Sequence, residues 1–189
     1  MMSNGTLGGA MEGNAASAAP GERGEMINLS TKLEKSDCYA MNEDTRFPMT
    51  NLFIGDTRLG CKSDADEQLI IHIAFQEFVK VHSIKFDEFN NGVDPENNPS
   101  TVRVFVNRNN LGFEDIEDVD PTQELELSDA DLKENADPFL VKFVKFQRVK
   151  SITLFIEDNS GGDISALGSL KIMGRLVATT NMADFKKQG

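Results

Sequence analysis

The sequence has no tryptophan, one tyrosine, two cysteines and two histidines among its 189 residues. Cys38 and Cys61 stand far apart and match neither a CxxC redox centre nor a zinc ribbon. No secretory signal points to an oxidising compartment, where disulfides form. We therefore expect two free thiols, and we predict neither redox chemistry nor a bound cofactor.

Nucleotide-binding loops and hydrolase motifs are missing as well. The chain contains no GxxxxGKS/T, GxGxxG, HExxH or GxSxG pattern. Because no nucleophile, base and orienting group can be assembled from motifs, we predict that the protein is not an enzyme.

No stretch approaches the roughly 18 consecutive apolar residues of a membrane span. This favours a soluble protein of the cytoplasm, with the nucleus left open.

Basic residues are scarce, with 19 Lys or Arg against 31 Asp or Glu and a formal net charge of -12. That sign disfavours binding to nucleic acid or to anionic membranes, since both would repel the chain, and it favours a monomer. Residues 114–137 alone hold eleven acidic residues against the single Lys133. We interpret this run as a solvated face, with a docking face for a basic partner as the alternative.

Composition divides the chain into three parts. Residues 1–25 contain six glycines and five alanines but no valine, isoleucine or phenylalanine. Such a segment buries too little apolar surface to offset its ordering entropy, so we predict a disordered leader. Residues 26–177 carry the apolar patterning of one folded domain, and residues 178–189 form a C-terminal tail.

Alternating apolar residues predict an all-β fold. Seven runs are expected to form strands, at residues 69–75, 79–86, 102–107, 123–127, 139–146, 149–157 and 167–174. In the second run, Val79 and Val81 have the opposite parity to Ile84 and Phe86, so we predict a β-bulge near Ser83. The fifth and sixth runs are two residues apart, which suggests a hairpin. The pattern predicts a β-sandwich, with a jelly roll as the natural candidate.

Two smaller features accompany the strands. A short helix is predicted from Ser128 to Lys133, capped by Ser128 with Asp131 three residues later. His72 and His82 lie on two runs predicted to be adjacent strands, so they could approach each other. We interpret them as ordinary sheet histidines, with a metal site or an acid–base pair as the alternative.

Three carboxylates, Asp64, Asp66 and Glu67, stand just before the first strong strand. A structural role is favoured, in which Asp64 or Asp66 accepts backbone N–H groups of a tight loop, and contact with a partner is the second interpretation. Loop carboxylates of a β-sandwich can also bind Ca²⁺. Together with Asp94, these residues are the candidates for an alternative function, recognition of carbohydrate or Ca²⁺.

The C-terminal tail carries a helical pattern of its own. Asn181 could cap one turn in which Met182 and Phe185 lie three residues apart on one face. A helix this short is unstable alone in water, so the tail either docks on its own domain or orders on a partner. The candidate partner-binding residues here are Thr179, Thr180, Asn181, Met182, Phe185 and Lys186.

Five segments resemble the PITH domain, the proteasome-interacting thioredoxin-associated domain. They follow the family's order at residues 27–43, 63–75, 122–134, 143–162 and 178–187. The resemblance implies a jelly-roll β-sandwich similar to galactose-binding-like domains, with no enzymatic activity. It also implies an adaptor that associates with the regulatory particle of the proteasome. Because this chain has no CxxC and no thioredoxin domain, it resembles the stand-alone members, and the redox function of thioredoxin-linked members does not transfer.

The sequence therefore favours a non-catalytic adaptor. We expect it to contact the proteasome through the tail, where Asn181, Met182 and Phe185 are the expected anchors. The acidic surface, including the carboxylates of residues 64–67, is expected to add electrostatic complementarity.

Overall fold

Ten β-strands make up the regular structure of the computed structural model, which describes residues 24–178. They are β1 (Ile27–Asn28), β2 (Tyr39–Met41), β3 (Cys61–Lys62), β4 (Leu69–Asp87), β5 (Pro99–Val106), β6 (Gln123–Glu126), β7 (Phe139–Leu140), β8 (Val149–Asn159), β9 (Ala166–Leu167) and β10 (Ser169–Leu176). The helical elements of these residues are short 3₁₀ turns at Leu29–Lys32, Lys35–Asp37, Met49–Phe53, Pro95–Asn97, Ile116–Asp118, Asp129–Leu132 and Phe143–Phe146. No helix in residues 24–178 has the length and apolarity needed to cross a bilayer.

The 19-residue strand β4 is the centre of the main sheet. This sheet has the order β1-β10-β4-β8-β5-β6, with β2 and β7 also paired to β4, while β3 and β9 form a second sheet. The first half of β4 pairs with β2 and β8, and its second half pairs with β10 and β7, all antiparallel. Inward side chains from both halves meet in one apolar cluster. The sheet therefore curls over a single core, as in a sandwich.

The predicted bulge near Ser83 is confirmed by the register between β4 and β10. Met173 lies opposite Ser83, but the next residue, Gly174, lies opposite Val81, so His82 is the extra residue of β4. Before the bulge, the odd-numbered residues of β4 face the core; after it, the even-numbered Ile84 does. One extra residue thus keeps both halves of the strand buried on the same side.

A smaller apolar cluster covers the outer face of the sheet. Its buried members are Ile70, Phe105, Leu111, Ile116 and Phe155. They come from β4, β5 and β8 and from the connection between β5 and β6, which lies across the sheet. Beyond this cover, the outer face of β4 continues to His72 and Ala74, where the candidate site lies.

Three strand predictions are corrected. The runs 69–75 and 79–86 form one strand, because the polar residues between them continue the extended chain where β4 and β8 shift register. The run 139–146 is a strand only at β7; it then turns at Phe143–Phe146, which buries Phe146, and β7 pairs with β4 instead of forming a hairpin with β8. The last run is split into β9 and β10 at Gly168, which lies against the backbone of Glu88.

The short helix predicted at 128–133 is confirmed as a 3₁₀ turn, Asp129–Leu132. Ser128 and Asp131 form the expected capping box, in which the Ser128 backbone N–H donates to the Asp131 carboxylate over 2.8 Å. Leu132 is the residue that this turn buries. The capped turn thus attaches the acidic run to the core through Leu132.

Candidate functional site

The loop of residues 63–68 is a closed, hydrogen-bonded turn organised by Asn42. The Asn42 Nδ2 donates to the Asp66 carboxylate (2.9 Å) and to the Gln68 carbonyl (2.7 Å), while its Oδ1 accepts the Ala65 N–H (3.0 Å). The Asp66 carboxylate also accepts the Gln68 N–H (3.0 Å). The predicted structural role is therefore confirmed for Asp66. Asp64 contributes its backbone N–H, which donates to the Asn42 carbonyl (2.9 Å).

Beside this loop lies an open depression of about 630 Å³. Its acidic lining residues are Asp66, Glu67, Asp158 and Asp163. Asp94 is not among them; it caps the turn Pro95–Asn97, where its carboxylate accepts the Glu96 N–H. Within residues 24–178, no group of three or more His, Cys, Asp or Glu side chains is arranged to hold a metal ion.

The acidic run has the exposure of a solvated face. Ten of the eleven carboxylates in residues 114–137 are exposed, and Asp131, which closes the capping box, is half-buried.

The tail candidates predicted from the sequence lie outside the described residues: Thr179, Thr180, Asn181, Met182, Phe185 and Lys186. Residues 1–23 of the predicted leader lie outside them as well.

The structure contains a cleft that the sequence did not indicate. Its volume is about 760 Å³, and its floor is the outer face of β4 and β8 at His72 and Ser151. Tyr39, directly opposite His72 in the β2–β4 pair, stacks on the imidazole with ring centroids 4.8 Å apart and an interplanar angle of 21°. An aromatic wall thus stands over a floor of buried polar side chains.

His72 shares a hydrogen bond with Thr153, whose Oγ1 lies 2.8 Å from the imidazole Nδ1. The same hydroxyl oxygen lies 3.3 Å from the Arg108 carbonyl oxygen, and its single hydrogen can be donated to either partner. Burial lowers the pKa of His72 below its ordinary value, although the Asp37 carboxylate works in the opposite direction. Burial thus favours a neutral imidazole at the floor of the cleft.

Asn107 holds the far wall of the cleft. It adopts a left-handed conformation (φ 56°), and its Oδ1 accepts the N–H groups of Lys150 (2.7 Å) and Ser151 (3.3 Å). Its Nδ2 donates to the Arg148 carbonyl (3.0 Å). The Asn107 amide is thus used to join the end of β5 to the start of β8, whereas Asn109 and Asn110 line the cleft from the following loop.

The proposed approach of the two histidines is wrong. His72 and His82 lie on the same strand, ten positions apart, which corresponds to roughly 33 Å of extended chain. His72 is buried and belongs to the cleft, whereas His82 is exposed at the bulge. The two cannot form a metal site or an acid–base pair within one protein molecule.

Solved structures that resemble this fold include a domain of a chitobiase and a carbohydrate-binding module. The C-terminal domain of a chitobiase from Bacteroides fragilis has a TM-score of 0.55 at 18% identity, covering 78% of this chain and 99% of that chain. A family 32 carbohydrate-binding module from Clostridium perfringens, solved with galactose, has a TM-score of 0.52 at 12% identity, covering 79% and 99%. At these identities the likeness shows the fold alone, and it confirms the predicted galactose-binding-like jelly roll.

Sequence relatives identify the family. Thioredoxin-like protein 1 of Schizosaccharomyces pombe is 32% identical over 164 residues, which cover 85% of this chain but only 55% of that protein. Human PITH domain-containing protein 1 is 26% identical over 160 residues, covering 82% of this chain and 72% of the human protein. The PITH domain family model matches residues 19–189, which include every strand of the fold. As the resemblance implied, this chain belongs to the PITH domain family.

Proposed function

We propose that this chain is a non-catalytic interaction module that associates with the regulatory particle of the proteasome. The observation that carries the proposal is the family match over residues 19–189. The ten exposed carboxylates of residues 114–137 support it further, because an acidic face steers encounter with a basic partner surface. The acidic loop with Asp64, Asp66 and Glu67 adds to the same electrostatic field.

The principal contact is assigned to the tail on its sequence pattern. Met182 and Phe185 have the spacing of two apolar anchors on one helical turn, and such anchors normally dominate binding energy. Thr179, Thr180 and Asn181 lead into that turn, and Lys186 follows it. The tail begins just after Val177, whose N–H donates to the Phe78 carbonyl of β4 (3.1 Å).

Affinity purification from the protein's own cell extract tests this proposal. Tagged full-length chain is compared with a version that ends at Val177, and bound proteins are identified by mass spectrometry. The truncated version retains all ten strands and the compact unit Met26–Val177, so its fold is a matched control. We expect proteasome subunits with the full-length chain alone. Equal capture by both versions would remove the tail from the contact, and no capture by either would overturn the proteasome proposal.

A second candidate function is recognition of a small hydroxyl-rich ligand such as a sugar. The observation that favours it is the cleft, because the loop carboxylates first considered for this role are partly used in the fold, at Asp66 and Asp94. In the cleft, the His72 imidazole and the Ser151 hydroxyl lie on the floor and offer polar groups to a ligand hydroxyl. The half-exposed Tyr39 ring offers an apolar surface for stacking.

Nuclear magnetic resonance titration with galactose and N-acetylgalactosamine tests this candidate. We expect the ring signals of His72 and Tyr39 to shift with sugar concentration, while those of the exposed His82 stay unchanged. His72→Gln should abolish the Tyr39 shifts. Absence of any shift at millimolar sugar would reject the ligand-binding function at this cleft.

A further inference from the structure

One stretch of the chain has the opposite charge to the rest. Residues 139–150 contain Lys142, Lys145, Arg148 and Lys150 and no acidic residue, in a chain of net charge -12. All four side chains are exposed. Within residues 24–178, none of the four forms an ion pair with a carboxylate. Lys142 and Lys145 are therefore the cations most open to a partner of opposite charge, since the Lys150 ammonium donates to the Gln76 carbonyl (2.7 Å) and the Arg148 guanidinium lies over the Phe78 ring.

The same stretch exposes large apolar side chains. Leu140, Phe143 and Val144 are 65%, 61% and 84% exposed. The cause is local: the turn Phe143–Phe146 buries only Phe146 in the core, and its preceding residues point to solvent. Contiguous exposed apolar groups on a soluble protein commonly mark an interaction site. We call Leu140, Lys142, Phe143, Val144, Lys145 and Arg148 the basic–apolar surface.

Hydrogen bonds hold the backbone of this surface in place. Gln123 of β6 donates to the Leu140 carbonyl (3.3 Å) and accepts the Lys142 N–H (2.8 Å). Gln147 donates to the Phe143 carbonyl (2.8 Å), and the Arg148 guanidinium lies 3.9 Å from the ring centre of Phe78. A backbone fixed before binding loses less entropy when a partner docks.

Charge complementarity determines the class of partner. The exposed lysines require an anionic partner, and Phe143 with Val144 require an apolar side chain within it. A nucleic acid or an anionic membrane presents a continuous negative surface, which would also meet the acidic residues of the neighbouring β6, such as Glu124 and Glu126. A protein segment can place its carboxylates opposite the lysines alone. We infer that the basic–apolar surface docks an acidic segment of a proteasome subunit that carries at least one apolar anchor.

This inference rests on the proposed function and adds a contact separate from the tail. The test measures binding of purified proteasome to immobilised full-length chain. Two variants alter the surface: Phe143→Ser with Val144→Ser removes the apolar groups, and Lys142→Glu with Lys145→Glu reverses the charge. Ile54→Ser, at a 58% exposed residue elsewhere, and Lys35→Glu are the matched controls. Urea unfolding verifies that each variant is folded.

We expect each surface variant to weaken binding by roughly tenfold or more, and each control to change it by less than about twofold. The double variant Lys142→Arg with Lys145→Arg should preserve binding, since it preserves the charge. If the unaltered chain binds and the surface variants bind equally well, the inference is overturned and the proposed function stands. If the unaltered chain does not bind the proteasome, the proposed function is overturned, and the inference that rests on it is overturned as well. Charge-dependent binding to phosphatidylserine vesicles, without binding to the proteasome, would identify an anionic membrane as the partner of this surface and overturn the inference.

Discussion

Lys85 and Asp87 form an ion pair inside the fold, with Nζ 2.8 Å from Oδ1 and both side chains less than a tenth exposed. The Lys85 ammonium also donates to the carbonyls of Asp131 (3.2 Å) and Lys133 (2.8 Å). On the other side, the Asp87 carboxylate accepts the Ser169 hydroxyl (2.5 Å). This pair therefore joins the capped turn of the acidic run to β4 and β10.

Removal of one member of this pair is expected to destabilise the protein strongly. Lys85→Met leaves the buried Asp87 charge with only the half-exposed Lys171 ammonium, 4.0 Å away, as a cation, so we expect a loss approaching the roughly 3–5 kcal/mol of unfolding free energy that a broken buried pair typically costs. The double variant Lys85→Met with Asp87→Leu should lose less than the sum of the two single losses, because the charges are coupled. Urea unfolding of the four proteins measures this coupling, and additive losses would contradict it.

Gly168 is required where the chain passes from β9 to β10. A Cβ at this position would lie 2.2 Å from the Glu88 carbonyl oxygen. Because this oxygen is a backbone atom, no side-chain rotation can relieve the clash. Gly168→Ala should therefore lower the unfolding free energy by about 1–3 kcal/mol. Gly112→Ala is the control, since its nearest neighbour, the Met41 Cε, would be 3.9 Å away. Equal stabilities of the two variants would show that the backbone at Glu88 yields.

His72 makes stability depend on pH. Burial lowers the pKa of His72 in the folded protein, whereas in the unfolded chain it returns to about 6.5. As the pH falls through this value, the unfolded chain binds the proton first, so the unfolding free energy decreases. We expect a decrease between pH 7.5 and pH 5.5 that is smaller in His72→Gln. Parallel pH profiles of the two proteins, measured by urea unfolding, would assign the dependence to other groups.

Both cysteines are free, as the sequence predicted, but they differ in burial. Burial is the main cause that raises the pKa of both thiols, and Cys61 is wholly enclosed while Cys38 is half-exposed. We expect iodoacetamide to modify Cys38 slowly and Cys61 only after unfolding. Mass spectrometry of the native and urea-unfolded protein follows each site. Rapid native modification of Cys61 would reveal local opening of β3.

The sequence predicted features that arise within one strand and missed those that join distant segments. The bulge at Ser83 was readable because the apolar residues of β4 change parity there. The continuity of β4 through Gln76 and Glu77 could not be predicted from the sequence, because polar residues usually mark the end of a strand. The cleft was also hidden, because Tyr39, His72 and Asn107 come from three separate segments. No linear motif contains them, and an asparagine that can adopt a positive φ, as Asn107 does, indicates a turn and not a cleft.

The central position of β4 has a consequence during synthesis on the ribosome. Its neighbour β10 begins at Ser169, which is 82 residues after the Asp87 it contacts. At about 5–20 residues per second, translation of that interval takes roughly 4–16 s. For this time the apolar strand has emerged without the neighbour that covers one edge, and unpaired edges of this kind are prone to aggregate. The nascent chain should therefore depend on chaperones until its last strand is released.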